Sequence, residues 1–364
     1  MPDLPPRRVL VLWTRISPYM CENWRKLSRY TNIDLKIVAM STQLDRDFTT
    51  FGRDVIRDLD IELVPREAPG LEELVISRME TFRPHAIFVA GWGVQAYRKA
   101  LLGRRQPRPM VVMGMDTPWL GRPKQYFARL LLVRFLKQVD VVLAAENRSA
   151  NYARRLGFSS ERIFTRLYSW DESLATRCQE VPKSDRNAFL FVGRYVPEKG
   201  LDLLIQAYRE YRQLVTDPWD LICCGAGPFE ELLANEPGIT NAGFAQPDAL
   251  SEHFAKATVF ILPSRFEPWG VAIAEAMGCG LPVIVSDQCG AGLDLVEHGV
   301  SGFIVPAGAK DALLRQMMEC HSNRERLPAI SQAAQQSAAQ CTSSRWAKAF
   351  HRILQEYLGP GYPS

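Results

Sequence analysis

A chain of 364 residues, at roughly 100 to 200 residues per domain, predicts two domains, and 47% hydrophobic against 23% charged residues excludes a disordered or fibrous protein. No apolar run approaches the roughly 18 residues of a spanning helix, and the start MPDLPPRRVLVLW has too short an apolar stretch for a secretory leader, so a soluble or peripheral protein is expected. The net charge of +4 conceals a division, because residues 1 to 180 hold 29 Lys and Arg against 20 Asp and Glu while the remainder holds 15 against 20.

In chain order the first half gives short β-rich runs, RVLVLW (7–12), LKIVAM (35–40), AIFVAG (86–91), MVVMG (110–114) and VDVVLAA (139–145), separated by amphipathic or polar stretches. Strands alternating with helices predict a parallel sheet covered on both faces. Residues 1–174 are therefore read as one Rossmann-like domain, and the polar segment 175–187 as a linker. The pattern restarts with AFLFVG (188–193), DLICCG (220–225), TVFILP (258–263) and PVIVSD (282–287), interleaved with helices such as LDLLIQAYREY, whose Leu201, Leu204, Ile205 and Tyr208 form one apolar stripe. Residues 188–344 are read as a second doubly wound domain. Trp346, Phe350, Ile353, Leu354 and Tyr357 lie at helical spacing and predict a final helix, 345–364, docking back on the N-terminal domain. Eight cysteines without a C-x-x-C pair argue against zinc or a disulfide framework and for a reducing cytoplasm.

Open α/β sheets bind ligands outside the carboxyl ends of their strands, so chemistry is sought at strand ends and in a cleft between the two domains. FVGRYVPEKG (191–200) runs from a strand through Gly193 into a loop carrying Arg194 and Lys199, two cations that suit a diphosphate. GAGP (225–228) follows the next strand, and Gly225 and Gly227 would let backbone amides approach a ligand; Glu230 stands where a dinucleotide fingerprint needs its last glycine. PSRFEPWGVAIAEAMGCGLPVIVSD (263–287) sets Glu267 after a strand and Glu275 inside a helix starting near Gly270. Even if wholly helical, eight positions span about 12 Å, too far for a shared proton but comparable to the separation of the two sugars of a nucleotide diphosphate sugar. The amides of Gly270, Val271 and Ala272 would face the phosphates between them. CGAGLDLVEHG (289–299) adds a glycine-rich turn at Gly290 and Gly292, while His298 is read as a surface residue.

These motifs, with LVEHGVSGFIVP (295–306) and in this order, resemble the retaining glycosyltransferases of family 4, whose fold is GT-B, two Rossmann-like doubly wound domains facing a central cleft. The resemblance covers essentially the whole second domain. It implies that Arg194 and Lys199 bind the donor diphosphate, that Glu267 contacts the donor sugar and that Glu275 holds the ribose. Gly193, Gly225, Gly227, Gly270, Val271 and Ala272 complete the expected donor site, with Glu267, Arg194 and Lys199 as the catalytic set.

The first half offers less. Asp116, at the end of MVVMG, and the loop Gly91, Trp92 and Gly93 are the acceptor-side candidates; family members often carry a His in the corresponding region, and none stands there. DRD (45–47) and DLD (58–60) match a D-x-D metal pattern but lie in polar segments away from a strand end, and no metal or other cofactor is expected. The stretch 121–138 combines Arg122, Lys124, Arg129, Arg134 and Lys137 with Tyr126, Phe127, Leu130 to Leu132, Phe135 and Leu136. It reads either as a helix packed on the sheet or as a membrane-surface helix. Nucleic acid is not an expected partner, since no recognition motif accompanies the charge.

The expected function is transfer of a sugar from a nucleotide diphosphate sugar to a saccharide or lipid-linked acceptor, with retention and without metal, in polysaccharide or glycolipid synthesis. The expected location is the cytoplasm, with an anionic inner membrane face as a partner surface. A glycosyl phosphorylase or nucleotide-sugar epimerase of the same fold, or a non-catalytic nucleotide-sugar-binding protein, stays open at this point.

Overall fold

The computed structural model describes residues 6–41, 53–65, 69–103, 108–182 and 187–359. They fall into two compact units, the first drawn from residues 6–41, 53–169 and 343–359 and the second from 170–342.

In the first unit, β1 (Arg7–Trp13), β2 (Ile33–Ser41), β3 (Ile61–Pro65), β4 (Ala86–Ala90), β5 (Met110–Met115), β6 (Val141–Ala144) and β7 (Ile163–Phe164) are the strands among the described residues. All pair in parallel, in the order β3-β2-β1-β4-β5-β6-β7. The two-residue period of a strand divides β1 between two cores. Val9, Val11 and Trp13 join Trp24 and Leu27 on one face, while Leu10 and Leu12 join Val75, Tyr97 and Phe135 on the other. The helix Ser343–Leu358 completes the first of these cores by burying Trp346, Phe350, Ile353 and Leu354. Its Trp346 indole N–H donates to the Leu167 carbonyl at 2.9 Å, and Phe350 meets Phe88 at 5.0 Å between ring centres.

The second unit holds β8 (Ala188–Val192), β9 (Asp220–Cys224), β10 (Ile239–Gly243), β11 (Val259–Leu262), β12 (Val283–Ser286) and β13 (Phe303–Val305) among its described residues. These are again parallel, in the order β10-β9-β8-β11-β12-β13. The unit begins at Trp170, five residues before the linker expected from composition. That linker, 175–187, is in part a helix, Ser173–Glu180, whose Leu174 and Cys178 are buried one turn apart. A helix needs only such a one-sided apolar pair to dock, and a polar average hides it. Residues 183–186 of the expected linker lie outside the described residues.

Gly200, which closes the loop after β8, has a φ of 70°, and a Cβ placed there would stand 2.3 Å from the Pro263 carbonyl oxygen. Neither a left-handed backbone nor a neighbouring main chain yields cheaply. Gly200→Ala should therefore destabilise the second unit by about 2 kcal/mol or more. Thermal unfolding followed by circular dichroism measures this, and an unchanged midpoint would show that the two loops can part without cost.

Candidate functional site

β8 and β11 are neighbours in the sheet although β9 and β10 separate them in the chain, so the strand order reverses between them. Such a reversal point, at the carboxyl ends of parallel strands, is where open α/β sheets commonly take a ligand. The β8 loop, 193–200, is fixed from below. Gly193 N–H donates to Cys224 O at 3.0 Å, Tyr195 N–H to Ala226 O at 2.9 Å, and the buried Tyr195 hydroxyl to Cys223 O at 2.9 Å. A Cβ at Gly225 would lie 1.9 Å from Gly193 O, and one at Gly227 would lie 2.5 Å from Tyr195 O. These glycines let the 225–228 turn lie against the β8 loop. The Gly225 amide donates to Gly243 O at 2.8 Å, so it and the Gly193 amide are both engaged within the protein.

Lys199 ends the short 3-10 turn Pro197–Lys199, and its ammonium pairs with the Glu267 carboxylate across the two loops. Both side chains are largely buried, at 15% and 12% exposure. Arg194, on the same loop, is exposed. A second ion pair braces this one: Arg265 donates twice to Asp202, at 2.7 Å each, and once to Pro197 O at 2.7 Å. Its own amide reaches Glu198 O at 2.8 Å. The guanidinium holds the Asp202 carboxyl below the usual carboxylate range. Sequence reading did not single out Arg265 or Asp202, because nothing in the local spacing of either connects residues so far apart in the chain.

The glycine-rich turn after β12 holds the other side of the β11 loop. Glu267 N–H donates to Gln288 O at 3.2 Å, Gly290 N–H to Glu267 O at 3.1 Å and Ala291 N–H to Trp269 O at 2.8 Å. A Cβ at Gly292 would meet the Val285 side chain at 2.7 Å, so that glycine serves packing. His298 accepts from the Ile304 amide at 3.0 Å and is exposed, as read from sequence.

Gly270, at φ 96°, turns the chain into the helix Val271–Gly278. The amides of Val271 and Ala272 precede the first intrahelical bonds, so this end is electropositive. Only from Val271 onward is the segment helical, which places Glu275 about 6 Å along the axis from the helix start. Glu275 is half-buried, yet protein surrounds its carboxyl closely enough to push its pKa up to about 7; burial is the main cause, Asp171 adds to it and Arg177 opposes it. The far end of the helix rests on Trp170, since a Cβ at Gly278 would fall 2.3 Å from that indole. In the β11 loop Ser264 Oγ and Trp269 Nε1 are buried without a hydrogen-bond partner among the described residues. Buried polar groups are nearly always paired, so two orphans in one loop mark a place where an added ligand would relieve a cost.

In the first unit the Tyr168 hydroxyl donates to Asp116 at 2.8 Å. Gly91 has a φ of 60° and Gly93 is exposed, while half-buried Trp92 meets Tyr152 in a T-shaped contact at 5.9 Å between ring centres. The strand order of this sheet reverses between β1 and β4, which brings Thr14 to Ser17 to the same end as the Gly91 loop, and Ser17 Oγ is buried without a partner. The reversal rule applied to the first strand would have found this segment. DRD lies outside the described residues; in DLD, Asp58 forms a turn at φ 63° and Asp60 pairs with Lys36 at 3.7 Å.

Residues 175–337 match the family of glycosyl transferases group 1. The sulfoquinovosyl transferase SQD2 of Arabidopsis thaliana is 25% identical over 293 residues, covering 73% of this chain and 56% of its own. A GDP-mannose-dependent alpha-(1-6)-phosphatidylinositol monomannoside mannosyltransferase of Mycobacterium tuberculosis is 31% identical over 166 residues, covering 42% and 43%. The chain spans between 36% and 56% of the length of the first curated relatives it matches. The crystal structure of Anabaena Alr3699/HepE in complex with UDP and glucose superposes with a TM-score of 0.73 at 19% identity, covering 96% of this chain and all of that one. The chain has the GT-B fold, and its second unit is related in sequence to glycosyltransferases of group 1.

Folded Glu275 keeps its proton up to about pH 7, whereas the unfolded chain releases it from about pH 4.5 upward. The native state then binds more protons than the unfolded state between these values, so this group's contribution to stability is complete below the window and is lost as pH rises through it. Urea midpoints of the parent, measured relative to Glu275→Gln, should fall between pH 4.5 and 7 and level off above. A constant difference would mean that Glu275 titrates alike in the folded and unfolded chain.

Proposed function

We propose that this chain is a retaining glycosyltransferase that moves a sugar from a nucleotide diphosphate sugar to an acceptor hydroxyl without a bound metal. The observation that carries the reading is the Lys199–Glu267 pair held across the strand reversal, with Arg194 on the same loop and the start of the helix Val271–Gly278 beside Glu267. Cations, free amides and a carboxylate meet where a diphosphate and its sugar would end.

A diphosphate arriving at this crevice offers Lys199 more negative charge than Glu267 does and offers Arg194 a forked partner. As the bond from the anomeric carbon to the diphosphate oxygen lengthens, charge grows on the leaving group, and Lys199, Arg194 and the helix amides neutralise it. Glu267, relieved of Lys199, holds sugar hydroxyls and balances positive charge at the anomeric carbon. The acceptor oxygen enters from the face the diphosphate leaves and passes its proton to the departing phosphate oxygen, so configuration is retained and no covalent nucleophile is assigned. Glu275, protonated near neutrality, can both donate to and accept from the ribose hydroxyls. Relatives named for sulfoquinovosyl transfer and for phosphatidylinositol monomannoside, and a UDP complex of a structural neighbour, support a nucleotide-sugar donor and a saccharide or lipid-linked acceptor.

Consumption of UDP-, GDP- and ADP-sugars, with and without added acceptors, tests the reading, and the anomeric coupling of the product reports stereochemistry. Arg194→Ala and Lys199→Ala should each lower kcat/KM about 100-fold or more, with activity surviving EDTA. Glu267→Gln should depress kcat more than it raises KM. Loss of activity with chelator that magnesium restores would overturn the metal-free mechanism, and parent rates in all three variants would remove the site.

A further inference from the structure

We propose that the first unit docks on an anionic bilayer through the outer face of the helix Pro123–Leu131 and the hollow beside it, a property independent of the transfer reaction. The stretch read from sequence as one basic helix is broken at Leu132, giving Pro123–Leu131 and Val133–Leu136. Ala128, Leu132, Phe135 and Leu136 turn into the core. That choice leaves Tyr126, Phe127, Leu130 and Leu131 outside, at 63, 61, 73 and 79% exposure. At 3.6 residues per turn these four occupy one arc of about 140°, a continuous apolar face directed away from the protein.

The face is rigidly presented. Gln125 Oε1 accepts from the amides of Leu120 and Arg122, at 2.9 and 3.2 Å, while Gln125 Nε2 donates to Pro118 O at 2.8 Å. Next to it lies a hollow of about 350 Å³ whose lining combines the apolar Leu102, Leu130 and Val133 with the cationic Arg98, Lys99 and Arg134. Lys99 is paired with Glu72 at 3.4 Å. Arg98 Nε, however, is buried with no hydrogen-bond partner among the described residues, so one guanidinium donor lacks the acceptor its burial demands.

Charge selects the occupant. From Thr117 to Val139 there is no Asp or Glu, while Arg122, Lys124, Arg129, Arg134 and Lys137 are all exposed. An apolar stripe bordered by like cations repels a second copy of itself but matches the boundary between acyl chains and anionic headgroups. A lipid phosphate in the hollow would satisfy Arg98, with the leucines meeting the first methylenes.

The full chain is tested by co-sedimentation with phosphatidylcholine vesicles with and without phosphatidylglycerol. Binding is expected only to the anionic vesicles, falling as salt rises. Leu130→Ser combined with Leu131→Ser should weaken partitioning at least about tenfold, and Arg98→Gln or Arg134→Gln about fivefold each. Both leucines are exposed, and unfolding midpoints check that the variants fold. Phe127→Trp gives a readout that needs no loss of binding: its emission should shift to the blue on anionic vesicles and be quenched by lipids brominated near the headgroup. Equal binding to neutral vesicles, an unshifted tryptophan, or binding indifferent to the leucine substitutions would overturn the proposal. So would lipid-free self-association in the ultracentrifuge that the same two substitutions abolish, since it would assign the face to a second copy.

Discussion

The reversal of strand order between β8 and β11 fixes where every charged group of the second unit's crevice can stand. The loops that leave β8 and β11 meet there, with the Arg265 amide on Glu198 O at 2.8 Å and Gly200 close against the Pro263 carbonyl. Lys199 and Glu267 join the same two loops, and the pair is largely buried. A buried ion pair is favourable only when its geometry is held by further contacts, because both charges have left water. The structure supplies them on each side: Arg265 and Asp202 brace the lysine's turn, and the amides of Gly290 and Ala291 brace the glutamate's loop.

Glu275 illustrates the opposite solution. Burial pushes its pKa up to about 7, with Asp171 adding to the rise and Arg177 opposing it. Burial in a desolvated pocket thus favours the proton on Glu275, while Glu267, in the same segment, sits against the Lys199 ammonium.

Much of this was legible in the sequence where apolar runs are continuous. RVLVLW, AIFVAG and TVFILP announce buried parallel strands, and Glu267 and Glu275 stand out as charges in an apolar segment. The strands β3, β7, β10 and β13 escaped because IELVP, IF, ITNAG and FIV are short or polar and take their register from neighbours already in place. The glycines were recognised, but the close approach of Gly225 to the Gly193 carbonyl was not legible, since it depends on a loop thirty residues earlier in the chain. The outward face of Pro123–Leu131 was equally hidden, since apolar residues fall on both sides of that helix and periodicity alone does not say which side the sheet takes.

The return of Ser343–Leu358 to the first unit sets an order on synthesis. A chain emerging from the ribosome exposes β1 to β7 long before Trp346, Phe350 and Leu354 exist to cover Val9, Val11 and Phe88. The second unit, uninterrupted from 170 to 342, can close as soon as it is out, while the part made first must wait with one face of its sheet uncapped until the last segment arrives. The second unit can therefore be complete before the first, although the first is begun earlier.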